Sequence, residues 1–327
     1  MSSDASYEKP EAISWRQVLK DRTYRTIALS LLLIIGMGLM RPDKPAGMYP
    51  KKYWAKKIGW RHCADAVLTG DSRTLMSLSP AEMRKVLDYD RILNFGFGAN
   101  WYARKYLETV EEVLDPKSNN KAVMMGITPH SLTYRTRGIG HFLNFIQVSK
   151  QDIYFDVHLA ALLNFLDPMS FHDAYQGLFP SLAPTHTRKE FFADGWVSVH
   201  KEPTGKRREV KRYQGIFKKR QVSQETIDIL LEFVTKWSNS GIKVYGFKLP
   251  TCKEMVELEN NVSGFNQSEF VEAFERAGGV WIPVNEDGYD SFDGSHLQDI
   301  GALEFSRSLA LKIRDIEQQK NQTVVVD

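Results

Sequence analysis

The chain has 327 residues, 43% of them hydrophobic and 25% charged, which excludes a polytopic membrane protein, a collagen-like fibre and a disordered tail protein. The length suits one large domain or two ordinary ones with a substantial core. Forty-three basic residues against forty acidic ones leave +3, so no global charge marks nucleic acid as a partner, and two cysteines exclude a disulfide scaffold or a Cys-rich zinc module.

Residues 27–40 read IALSLLLIIGMGLM and carry no charge. The run is shorter than the roughly 20 residues a perpendicular spanning helix needs. It fits the apolar region of a signal sequence or a short signal anchor. Arg41-Pro42-Asp43-Lys44-Pro45 follows, without an A-x-A-like cleavage site, so an uncleaved transmembrane anchor is expected. A buried core helix is the alternative. Lys9, Arg16, Lys20, Arg22 and Arg25 precede the run, and a denser set of lysines and arginines follows it through Arg61. Charge alone therefore places the second flank on the cytoplasmic side. The expected organisation is a tail over 1–26, the anchor over 27–40, a Pro-, Lys- and Tyr-containing linker over 41–63, a domain over 64–318 and a tail over 319–327.

Within the domain, short apolar runs closed by Gly or Pro predict strands at 64–69, 91–95, 121–125, 242–247 and 280–284. Helical spacing predicts helices between them. Tyr102, Tyr106, Val110 and Val113 share one face, and Ile227, Leu230, Leu231, Val234 and Trp237 share another. Further helices are predicted over 268–277 and 299–316. Strands alternating with helices predict an α/β fold, a doubly wound, flavodoxin-like, mostly parallel five-stranded sheet in three α/β/α layers. Residues 150–222 break the rhythm, aromatic first and then strongly basic over 201–220, and read as an insertion. A solvated hairpin is the plainer reading of the basic part; holding an anionic polymer or lipid head groups is the other.

Gly70-Asp71-Ser72-Arg73 follows the first predicted strand. A serine at a strand-to-helix turn stands at the carboxyl edge of a parallel sheet, where ligands of open α/β folds bind. Asp293-Gly294-Ser295-His296 follows the last strand. An aspartate three residues before a histidine can hold its imidazole and leave the other nitrogen as a base. The two motifs place Ser72, Asp293 and His296 at one edge of one sheet, although each alone also reads as helix-cap chemistry. Between them, Gly96 and Gly98 follow the second strand, where a glycine lets a backbone N–H approach a substrate oxygen. Gly126-Ile127-Thr128-Pro129-His130 follows the third, where a further oxyanion donor is expected and His130 can line the cleft.

In the order of these blocks the chain resembles the SGNH, or GDSL-type, hydrolase superfamily over about residues 65–316, with 150–222 outside the common core. The resemblance implies Ser72 as nucleophile, His296 as base, Asp293 as its orienter, and the Ser72 and Gly98 N–H groups as oxyanion donors, with Gly96 the other candidate. Thr128 stands where many members carry an asparagine donor. A looser resemblance, to membrane-anchored accessory proteins of cell-surface polysaccharide O-acylation, implies an extracytoplasmic (periplasmic) domain. It also implies an acylated polysaccharide or lipid-carrier substrate and a membrane-bound O-acyltransferase as partner.

The histidines show no zincin spacing and join no Cys cluster, so no metal or other cofactor is expected. Trp101 occupies the third glycine position of a dinucleotide loop. Cys63 and Cys252 fall at opposite ends of a parallel sheet and are expected as free thiols. The expected function is a serine esterase or O-acyltransferase working through an acyl-serine. The alternatives are a catalytically weak or inactive carbohydrate-binding or assembly protein on the same fold, and a flavodoxin-like nucleotide-binding domain.

Overall fold

The structure is a computed structural model, and it describes residues 21–40, 48, 50–133, 141–159, 186–205, 208–285 and 288–324. The strands in chain order are β1 (Ala66–Thr69), β2 (Ile92–Asn94), β3 (Ala122–Ile127), β4 (His186–Phe191), β5 (Val197–Glu202), β6 (Lys243–Lys248) and β7 (Val280–Trp281). Five of them form one parallel sheet in the order β2-β1-β3-β6-β7, and β4 and β5 form a separate antiparallel pair. The chain runs outward from β1 to β2, then reverses across β1 to β3 and onward. The loops after β1 and β3 thus part at a topological switch point, the place where open α/β sheets bind ligands.

The helices in chain order are α1 (Arg22–Met40), α2 (Pro50–Ile58), α3 (Ser72–Ser77), α4 (Pro80–Met83), α5 (Arg104–Val113), α6 (His141–Phe145), α7 (Lys150–Tyr154), α8 (Arg208–Phe217), α9 (Gln224–Asn239), α10 (Lys253–Val262), α11 (Gln267–Arg276) and α12 (Asp299–Val324). Strand alternation sends successive side chains to opposite faces. Val67, Val123, Met125 and Val244 meet α5, α9 and α11 through Tyr106, Val110, Leu230, Val234, Trp237 and Phe274. Ala66, Leu68, Met124 and Phe247 meet α4 and α12 through Met83, Phe305, Leu309 and Ile313. Both faces of the sheet are covered, which is why β1 and β3 are buried at every position. Full burial of a side chain such as Leu309 contributes about 1.5–3 kcal/mol.

Three expectations change. The apolar run over 27–40 forms part of α1, but no helix among the described residues is long and apolar enough to cross a membrane. The stretch read as a linker contains α2, whose Tyr53, Ala55, Lys57 and Ile58 are buried. Its lysines masked the pattern, because the stem of Lys57 packs as an apolar group. The basic segment takes in the last two residues of β5 and then the helix α8 rather than forming a hairpin of its own, and Tyr213 and Phe217 of α8 pack on Met255 of α10. The first 20 residues of the expected tail, 41–47 of the linker and 160–185 of the insertion lie outside the described residues.

Candidate active site

β1 ends at Thr69 and the chain turns at Gly70, whose φ is +150°. A Cβ there would stand 2.2 Å from Thr74 Oγ1 and 2.9 Å from the Gly126 carbonyl oxygen, so glycine is required. Asp71 then caps α3, its carboxylate accepting the Arg73 N–H at 2.9 Å. Ser72 is thereby the first residue of α3, where backbone N–H groups have no acceptor within the helix. Two buried tyrosines from α5 and the segment before it brace this edge. Tyr102 donates to the Gly126 carbonyl at 3.0 Å, and the Tyr106 hydroxyl accepts the Gly70 N–H at 3.0 Å while donating to the Phe95 carbonyl at 2.8 Å.

The second motif is a tight turn after β7. Gly294 has φ +92°, its N–H donates to Ser291 Oγ at 2.7 Å, and Asp293 Oδ1 accepts the N–H groups of Ser295 and His296, both at 2.9 Å. Asp293 Oδ2 lies 2.8 Å from His296 Nδ1, and His296 Nε2 lies 2.8 Å from Ser72 Oγ. With Nδ1–H donated to Asp293, Nε2 is an acceptor facing the serine hydroxyl. Burial pushes the Asp293 carboxyl up, but the hydrogen bond and charge of His296 and the two backbone N–H groups outweigh it and hold the pKa below the ordinary value. The ring of Phe292 stacks on His296 at 5.6 Å, fixing the plane of the imidazole. The structure therefore brings Ser72, His296 and Asp293 together as one hydrogen-bonded relay across 224 residues of sequence.

A second group of charges ties the two motifs to each other. Arg73, fully buried, donates from Nε to Ser295 Oγ at 2.9 Å and from Nη2 to Glu259 Oε1 of α10 at 2.6 Å. Tyr213 of α8 lies under the guanidinium, 5.2 Å from ring centroid to Cζ, and also meets the ring of His130 at 4.9 Å. Burial pulls the Arg73 pKa down, but Glu259 more than offsets this and raises it above its ordinary value. The insertion thus forms part of the site. Its backbone also clamps the second motif, with Gly205 N–H on the Phe292 carbonyl at 2.7 Å and Gln298 bridging Lys201 at 3.0 and 2.9 Å.

The other expected residues divide. The Gly98 N–H makes no hydrogen bond to the described residues and the residue is half-buried, as an oxyanion donor would be. Gly96 serves packing instead. Its N–H donates to Asn94 Oδ1 at 2.9 Å, and a Cβ would stand 2.7 Å from the Leu75 nitrogen. Thr128 does not face a substrate position, since its single hydroxyl proton is directed at Asp71 Oδ2, 2.7 Å away. Its oxygen also caps the short 3₁₀ turn Pro129–Leu132 by accepting the Ser131 N–H. His130 is buried with Nδ1 3.4 Å from Asp71 Oδ2. Burial raises the Asp71 pKa, but His130, the Arg73 charge and Thr128 together bring it down to about 2.

Sequence reasoning missed Arg73, Glu259, Tyr213 and Asn94. Arg73 stood beside the serine and was the one with a signal. Asn94 donates to the Thr74 and Leu78 carbonyls, both at 2.8 Å, and locks α3 to the end of β2. Cys63 and Cys252 are free, and no cluster of three or more potential metal ligands occurs among the described residues. No family model matches the chain, and comparison with curated proteins and with solved structures gave no match.

Proposed function

We propose that the chain is an SGNH-type serine esterase or O-acyltransferase. The observation that carries this is the relay of Ser72 Oγ, His296 Nε2 and Asp293 at successive distances of 2.8 Å, at the switch point of a parallel sheet. In this reading Ser72 Oγ attacks an acyl carbonyl and His296 Nε2 takes its proton. The tetrahedral oxyanion rests on the N–H groups of Ser72 and Gly98. Collapse expels the alcohol, which leaves with the proton from His296, and the acyl-serine is then attacked by water or by a sugar hydroxyl that His296 deprotonates.

The proposed substrate is an acyl, in particular acetyl, ester of a cell-surface polysaccharide or lipid-linked carrier. The proposed setting is the extracytoplasmic face of a membrane, beside a membrane-bound O-acyltransferase. Membrane attachment is supported by α1, where Ile27, Leu29, Leu31, Leu32 and Leu33 are 51–65% exposed. Leucines exposed around a helix favour lipid over water. The alternative, a weak or inactive binding protein on the same fold, is favoured by Thr128, because its hydroxyl donates to Asp71 and adds no side-chain donor to the two backbone N–H groups. Losing one oxyanion donor costs roughly 10²–10³ in kcat.

The test is hydrolysis of 4-nitrophenyl acetate by the full chain in detergent. Expected is a rate that falls by roughly 10⁴–10⁶-fold in Ser72→Ala and in His296→Ala. A folded protein with no Ser72-dependent turnover would favour the binding reading.

A further inference from the structure

Between the loops that follow β2 and β3 and the helix α8 lies a cavity of about 360 Å³. Ala99, directly after Gly98, and His130 line it from the catalytic side, and Arg212, Lys219 and Arg220 line it from α8 and the turn that follows. It abuts the supports of the triad. His130 lies 3.4 Å from Asp71, the residue before Ser72, and Tyr213, next to Arg212, packs on both His130 and Arg73.

The charge of this cavity has one sign. No carboxylate is among its described lining residues. Glu209 pairs with Arg212 at 3.0 Å, while Lys219 and Arg220 make no ion pair among the described residues. Residues 208–220 hold six basic side chains against that one glutamate. The inward face of α8, Tyr213 and Phe217, is taken up by packing on α10, which turns Arg212 outward. A concave wall lined by unbalanced cations concentrates anions.

Gly215 is the second observation. It lines the cavity from inside α8, and a Cβ there would meet nothing within 4 Å. Alanine would favour the helix and clash with no atom, so neither backbone nor packing calls for glycine. A longer side chain there can extend into the open space of the cavity without a backbone clash. Ala99, which follows Gly98 and lines the cavity, holds φ +50°, a left-handed conformation uncommon for alanine.

We propose that this cavity is an anion subsite that receives a carboxylate or phosphate group of the acyl ester while its carbonyl faces Ser72. The proposal rests on the acyl-transfer reading and narrows its substrate class to anionic esters. Arginine forks suit both groups, and a lysine adds a point charge.

The test compares the full chain in detergent on 4-acetoxybenzoate, 4-acetoxyphenyl phosphate and the neutral 4-acetoxybenzamide. Titration calorimetry on the three phenol products runs alongside. Expected is a kcat/KM about tenfold higher for at least one anionic ester than for the amide, and the preferred anion names the group. That ratio falls towards one in Lys219→Ala/Arg220→Ala. It also falls in Gly215→Leu, which fills the cavity without altering charge. An active enzyme with no anionic preference, or a preference indifferent to these substitutions, overturns the subsite and leaves the esterase reading intact. If no ester is hydrolysed through Ser72, the acyl-transfer reading fails and calorimetry decides the subsite alone. Binding of an anionic phenol but not the amide, weakened about tenfold in the double variant, then supports it. Equal binding of all three phenols, or binding of none, overturns it.

Discussion

Arg73 behind the nucleophile and Lys57 on α2 are both buried to zero exposure, and their surroundings are opposite. Arg73 faces the Glu259 carboxylate at 2.6 Å, and that charge raises its pKa. Among the described residues Lys57 donates only to neutral acceptors, Tyr53 Oη at 3.1 Å and the Gly195 carbonyl at 3.0 Å, with the Phe97 ring 5.0 Å away. Burial drives its pKa well down, against a weaker opposing pull from Asp194. Around Ser72 the fold holds geometry with fixed charges. Under α2 it uses a lysine stem as apolar filling, with the amine against uncharged oxygens and aromatic faces.

The comparison breaks most visibly at Arg73. Arg73→Met leaves Glu259 buried without a counter-charge, and a loss of about 3–5 kcal/mol in urea unfolding is expected. Arg73→Met/Glu259→Met removes both charges and is expected to regain most of that stability. If the double variant is as unstable as the single one, the pair is held by packing rather than charge.

Asp71 belongs to the same charged region and tests it through pH. Its carboxyl is fully buried, and its pKa falls from the ordinary 3.8 to about 2. A depressed acid stabilises the fold above its unfolded pKa, and that stabilisation is lost as pH falls from about 4 to about 2. The shift corresponds to about 2 kcal/mol. Asp71→Asn is expected to be less stable by that amount at pH 7, with the difference closing towards pH 2. Asparagine keeps the cap to the Arg73 N–H, so a gap independent of pH would assign the loss to the Oδ2 acceptor facing Thr128 rather than to the charge.

Lys57 sharpens the contrast with the smallest effect and the opposite sign. Its lowered pKa means the unfolded chain binds more protons than the folded one over the interval up to 10.5, so stability rises with pH there. Lys57→Met leaves no acceptor orphaned, because Tyr53 Oη still donates to the Gly195 carbonyl at 2.6 Å. Expected is a gain of about 1 kcal/mol at pH 7 and a flatter pH–stability curve on the alkaline side. A loss would mean that the amine is a true strut.

These regions also differ in how far the sequence exposes them. The five strands are legible because parallel strands buried on both faces read as short apolar runs closed by glycine. Ser72, Asp293 and His296 are legible because one motif ends the first strand and the other follows the last strand of the sheet, so the topology brings them to one edge. The Arg73–Glu259 pair is hidden by a sequence separation of 186 and by glutamates in α10 that all look alike in sequence. Thr128 is misread because position after a strand does not show where a hydroxyl proton points. In α2 the charged termini of the lysines outweigh the spacing of Tyr53, Trp54, Lys57 and Ile58, which is already helical. Tyr213 belongs to a basic stretch whose charge obscures the aromatic face that enters the site.

The relay itself is tested most directly by treating the full chain with a fluorophosphonate and locating the adduct by tandem mass spectrometry. Expected is one phosphonylated residue, Ser72, with labelling abolished in Ser72→Ala and slowed at least a hundredfold in His296→Ala. A folded chain that stays unlabelled at Ser72, or labels there equally fast without His296, would contradict a serine activated by that histidine.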